Sequence, residues 1–134
     1  MNNHKEFGIR IVNVSLGGDE LCSYKESRAD RLAEALFEKG IVIVAAAGND
    51  ENGSISPPAN SLNVIAVGGV NDNNNLEVDE YTAYHSSYGK TVDELMKPEL
   101  VVQAIWIAAP ILPFTKEHQE ARLCIICCNN HILY

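Results

Sequence analysis

Residues 41–49 run Ile41-Val42-Ile43-Val44-Ala45-Ala46-Ala47-Gly48-Asn49, and this stretch decides the fold. Seven apolar residues follow one another without polar alternation. That pattern marks a strand covered on both faces, as strands of parallel sheets are. The three alanines leave room above the strand end for another group to approach. Gly48-Asn49-Asp50 then opens a polar loop that runs through Asn60.

Upstream of this strand lies a helix. Ala29, Leu32, Ala33, Leu36 and Phe37 recur at helical spacing, with charges on the other face. Ser23 and Glu26 have the spacing of a capping box, and Gly40 stands where a helix end needs positive φ. Before the helix, residues 9–14 form a short β-branched run that ends in the glycine turn Ser15-Leu16-Gly17-Gly18. Downstream, residues 64–70 make a third buried strand, residues 71–75 a turn, 86–89 a loop, and 100–107 a fourth strand. The strand–helix–strand order predicts an α/β layer with a parallel sheet whose strands lie in chain order. From about Phe114 onward this logic stops. A helical turn fits residues 117–123, but nothing ties the cysteine-rich end to what precedes it.

The chain has 134 residues, 46% hydrophobic and 21% charged, which suits one soluble globular domain. A net charge of −8 argues against nucleic acid, whose phosphates need a basic face. No apolar run approaches the ~20 residues of a membrane span, so no membrane partner is expected. Residues 1–8 lack the apolar block of a secretory signal. Three of the four cysteines, Cys124, Cys127 and Cys128, crowd together away from Cys22, which is no disulfide framework. A reducing, cytoplasmic setting is the default reading.

Other chemistries fare poorly. Cys124, Cys127, Cys128 and His131 include a C-x-x-C pair with a nearby histidine. Tetrahedral zinc ligation from ligands so close in sequence is sterically awkward, and no second ligand pair exists elsewhere, so no metal site is expected. His85 and Ser86 are adjacent, and adjacent side chains rarely face each other as a catalytic dyad. Asp72-Asn73-Asn74-Asn75 lacks the EF-hand pattern. No glycine-rich nucleotide loop follows any strand.

Four blocks in fixed order resemble the subtilisin-like serine proteases. They are Val14-Ser15-Leu16-Gly17-Gly18; Val44-Ala45-Ala46-Ala47-Gly48-Asn49; Pro57-Pro58-Ala59 with Asn63-Val64-Ile65-Ala66-Val67-Gly68; and Ser86-Ser87-Tyr88-Gly89 with Lys97-Pro98-Glu99-Leu100-Val101. The resemblance covers roughly residues 8–113. It implies a partial subtilisin-like three-layer α/β fold, with residues 1–113 the central part of a peptidase domain and 114–134 a divergent tail. It also implies roles. Ser15, Leu16, Gly17 and Gly18 would bind substrate as a strand edge, and Ala46, Ala47 and Gly48 would wall the pocket for the residue before the cut. Asn49 would be the oxyanion-hole donor.

The family's triad comes in the order Asp, His, Ser. None of the six aspartates is followed by Ser-Gly or Thr-Gly, no histidine precedes Gly-Thr, and no Gly-Thr-Ser occurs. Val102-Gln103 stands where the family usually has Ala-Pro. The expectation is a fragment of a serine endopeptidase that acts on peptide or protein substrates and is inactive alone. The missing segments of the protease domain would be its partners. The alternative is an inactive remnant that binds peptides or a partner chain. The resemblance implies no cofactor, although members often bind structural calcium through backbone oxygens. Members are also often secreted, which leaves the compartment open.

Overall fold

The computed structural model describes residues 3–18, 21–51, 53–105, 113–116 and 118–119. Cys124, Cys127, Cys128, His131 and most of the expected helical turn at 117–123 lie outside the described residues.

The elements, in order, are β1 (Ile11–Val14), α1 (Arg28–Phe37), β2 (Val42–Ala46), β3 (Val64–Asn71), a 3-10 turn (Val78–Glu80), β4 (Thr82–Ala83), β5 (Gly89–Lys90), β6 (Met96–Lys97) and β7 (Leu100–Gln103). As expected, β1, β2, β3 and β7 are parallel and lie side by side in chain order. Val14 pairs with Ala45, Ala46 with Val67, and Val67 with Leu100. The α/β parallel architecture therefore stands.

Three features were not legible in the apolar pattern. The two-residue β4 pairs antiparallel with β3, Ala83 opposite Val70. Val67 O accepts from Ala47 N at 3.0 Å, and Gly69 O accepts from Tyr84 N at 3.1 Å. Carbonyls two residues apart point to the same side, so β4 takes over the β3 edge where β2 ends. A separate hairpin pairs β5 with β6. The fourth strand ends at Gln103, short of the expected Ile107; Ala104 and Ile105 are not strand, and residues 106–107 lie outside the described residues.

The helix also starts differently. Its N-cap is Ser27, whose hydroxyl accepts from Asp30 N at 3.3 Å. Ser23 and Glu26 instead close the preceding turn, where Glu26 N donates to Ser23 O at 2.9 Å. The two serines are four residues apart, so spacing alone placed the cap one turn early. At the other end Gly40 is at φ +78°, Gly40 N donates to Phe37 O at 2.8 Å and Ile41 N to Leu36 O at 3.2 Å. Those paired bonds form a Schellman motif, and they swing the chain straight into β2.

α1 covers one face of the sheet. Ala33 packs in a buried cluster with Ile43, Ala45, Val64 and Ala66, flanked by Val12, Val14 and Leu36. The other face is not covered among the described residues. Ile11 is 65% exposed and its partner Val42 39%. The reading of β2 as covered on both faces is thus corrected: its alternate residues are buried only on the helix side.

Polar joints hold the layer together. Glu34 accepts from Ser61 Oγ, from Asn63 N at 3.0 Å and from Asn63 Nδ2 at 2.6 Å, which ties α1 to the start of β3. Lys97 is buried; its ammonium donates to Val64 O at 2.8 Å and pairs with Glu99. Glu99 in turn accepts from Ala66 N at 2.7 Å.

Candidate functional site

Parallel register brings the two key segments together. Because Val14 faces Ala45, the chain beyond β1 and the chain beyond β2 leave the sheet side by side at its carboxyl end. Open α/β sheets place their sites there. Ser15, Leu16, Gly17, Gly18, Ala46, Ala47, Gly48 and Asn49 all line one cavity of about 610 Å3. The eight residues to which the resemblance assigns a substrate or oxyanion role therefore line one cavity.

Local chemistry explains the shape of the walls. Gly18 N donates to Pro57 O at 3.1 Å, which pins the first segment to the loop that precedes β3. Gly48 is at φ +119°, a conformation that essentially only glycine adopts. A Cβ there would lie 2.6 Å from Ser87 Oγ, so the loop of residues 84–88 packs directly against this turn. Asn49 follows, exposed at the cavity wall. A second cavity of about 420 Å3 shares Ser15 and residues 46–49, and spreads over the uncovered sheet face toward Gly68, Tyr84 and His85. Asn49 stands where the two cavities meet.

The sequence reading missed part of this cavity. Leu21, Ser54, Ser56 and Ser87 also line it. Ser86-Ser87 belongs to the fourth block of the resemblance, and nothing in its pattern shows that it folds back onto Gly48. His85 and Ser86 form no dyad: His85 is exposed, whereas Ser86 is buried and its hydroxyl donates to Ser87 O at 3.3 Å. Among the described residues, no three His, Cys, Asp or Glu side chains converge as a metal-binding group.

A sequence model of the subtilase family matches residues 2–122. The chain belongs to the subtilase family. Serine protease AprX of Bacillus subtilis (strain 168) is 39% identical over 103 residues, which span 72% of this chain and 23% of that protein. Subtilisin Savinase of Lederbergia lenta is 32% identical over 99 residues, 74% of this chain and 33% of that protein. Among solved structures, the S41 psychrophilic protease superposes with a TM-score of 0.51 at 29% identity, covering 66% of this chain and 28% of that one. This subtilase chain spans about a quarter to a third of the length of the curated relatives it matches.

Proposed function

We propose that this chain forms the substrate groove and oxyanion hole of a subtilisin-like serine endopeptidase. The observation that carries the reading is the parallel β1–β2 register, which lays residues 15–18 beside residues 46–49 along one cavity. An extended peptide would add to the glycine-rich edge Ser15-Leu16-Gly17 through backbone hydrogen bonds, with Ala46, Ala47 and Gly48 walling the pocket for the residue before the cut. The Asn49 amide would donate to the oxyanion as the tetrahedral intermediate forms. No triad motif occurs in the sequence, so aspartate, histidine and serine would come from segments that pack against this layer. The chain alone is expected to hydrolyse no peptide and to take no label from a serine-directed phosphonate.

The test uses a polypeptide that joins this segment to the three triad motifs. Asn49→Ala should lower kcat with KM nearly unchanged, because a planar ground-state carbonyl sits too far away for a good bond. The loss should be about 10²–10³, a size known for such a donor in a member of this family and not obtained from this geometry. Asn49→Asp should be at least as harmful, since a carboxylate cannot donate. Full kcat in Asn49→Ala would overturn the assignment. Phosphonate labelling of the chain alone would show that it holds a nucleophile of its own. A joined polypeptide that binds peptide but never cleaves it would favour the binding-module alternative.

A further inference from the structure

We propose that Ser87 is the positioning residue for Asn49, a clamp that fixes the peptide groups on both sides of it. The inference rests on reading Asn49 as the oxyanion donor. Ser87 is 2% exposed and comes from a loop 38 positions further along the chain. Its main-chain N–H donates to Gly48 O at 3.1 Å. Its hydroxyl oxygen accepts from Asp50 N–H at 3.3 Å.

Those two bonds have a specific geometric consequence. Gly48 O belongs to the peptide plane that enters the Asn49 Cα, and Asp50 N–H to the plane that leaves it. Holding both planes holds φ and ψ of Asn49, so only its side-chain torsions stay free. The bare Gly48 lets the clamp close, since a Cβ there would collide with Ser87 Oγ. A second tether, from His85 N–H to the Glu51 carboxylate at 3.1 Å, keeps the two loops together. A donor aimed at developing charge works only if it needs no reorganisation, so a rigid support behind it carries direct weight in kcat. The hydroxyl itself touches no reacting atom in this scheme.

Two measurements decide it. In the joined polypeptide, 15N relaxation of Asn49 and hydrogen exchange of the Asp50 amide are compared in wild type, Ser87→Ala and Ser61→Ala. Ser61 is a fully buried hydroxyl bonded to Glu34, and serves as a control for general loss of stability. Ser87→Ala removes the hydroxyl bond and keeps the main-chain bond to Gly48 O. It should therefore release the peptide plane between Asn49 and Asp50, loosen the Asn49 amides and lose Asp50 protection, and Ser61→Ala should do neither. Ser87→Cys fills the site with a somewhat larger group that is only a weak acceptor, and makes the same comparison where an alanine void is not tolerated. Unchanged order at Asn49 in Ser87→Ala overturns the clamp, whatever the kinetics.

In the joined polypeptide, Ser87→Ala should lower kcat about ten- to a hundredfold with KM nearly unchanged, the scale of a slight misplacement. Ser61→Ala should show no such split. If Asn49→Ala loses kcat while Ser87→Ala keeps it, the clamp is wrong and the oxyanion reading stands. A wild type without peptidase activity removes the oxyanion reading, and the relaxation data then still decide the clamp.

Discussion

Gly48 and Gly89 provide a matched pair at the scale of single residues. Their φ angles are +119° and +122°, yet a Cβ would meet Ser87 Oγ at 2.6 Å in the first and nothing within 4 Å in the second. Gly89→Ala should therefore feel backbone strain alone, about 1–3 kcal/mol. Gly48→Ala should cost clearly more, because the buried Ser87 must shift as well. Urea midpoints of the two variants check this; equal losses would mean that the contact at Gly48 is soft. Asp30 makes a second residue-scale case. It is fully buried at the start of α1, neither carboxylate oxygen completes a hydrogen bond, and burial pushes its pKa up to about 6 despite the nearby Ser27 hydroxyl. The folded state thus holds its proton more tightly than the unfolded one. Stability is present below pH ~4 and is lost as pH rises toward 6, by at most about 3 kcal/mol. Asp30→Asn should gain stability at pH 7.5 and change little at pH 4, as denaturant titrations at both values would show.

Among the elements, the joint between α1 and β3 behaves in the opposite sense. Partial burial works to raise the Glu34 pKa, but hydrogen bonds from Ser61 and from the Asn63 side chain and backbone outweigh it, so the carboxyl sits below its ordinary value. Its contribution is present at neutral pH and fades as pH falls through that lowered value. Glu34→Gln should cost roughly 1.5–3 kcal/mol at pH 7, the range for hydrogen bonds to a charged group. The cost should shrink as pH falls through that lowered value, where wild-type Glu34 becomes protonated too. A cost independent of pH would show that shape, not charge, holds this joint. Element identity was largely readable: the 3.6-residue spacing of α1 and the apolar runs of β2 and β3 are strong signals. The helix start was not, since Ser23 and Ser27 offer competing caps and only packing chooses between them. β4, β5 and β6 are two residues each, too short to have a period.

For the whole molecule the uncovered sheet face governs behaviour in solution. Ile11, Val42, Leu100 and Val102 are 65%, 39%, 44% and 50% exposed, and among the described residues β1 pairs on one side only. Apolar faces and bare strand edges of this kind drive association. The chain expressed alone should self-associate, and Ile11→Lys should raise its monomer fraction with little change in folding stability. Sedimentation velocity reads the first and a denaturant midpoint the second. A wild-type chain that stays monomeric would show that this face needs no cover.

Ile41-Val42-Ile43-Val44-Ala45-Ala46-Ala47 by itself determined a central parallel strand, because an unbroken apolar run has no other economical place. With the blocks around it, the sequence also determined the family and the residues that meet at the carboxyl end of the sheet. Register then did the rest mechanically: once β1 and β2 run parallel from adjoining starts, residues 15–18 and 46–49 must emerge together. Two things required the tertiary structure. One is the bare face of β2, since the sequence records that a strand suits two covers but not whether both are present. The other is the fold-back of Ser87 onto Gly48, a contact between residues 39 positions apart that no local pattern encodes. It exists because β3 and β4 carry the later loop back to the end of β2, where a glycine leaves space for it.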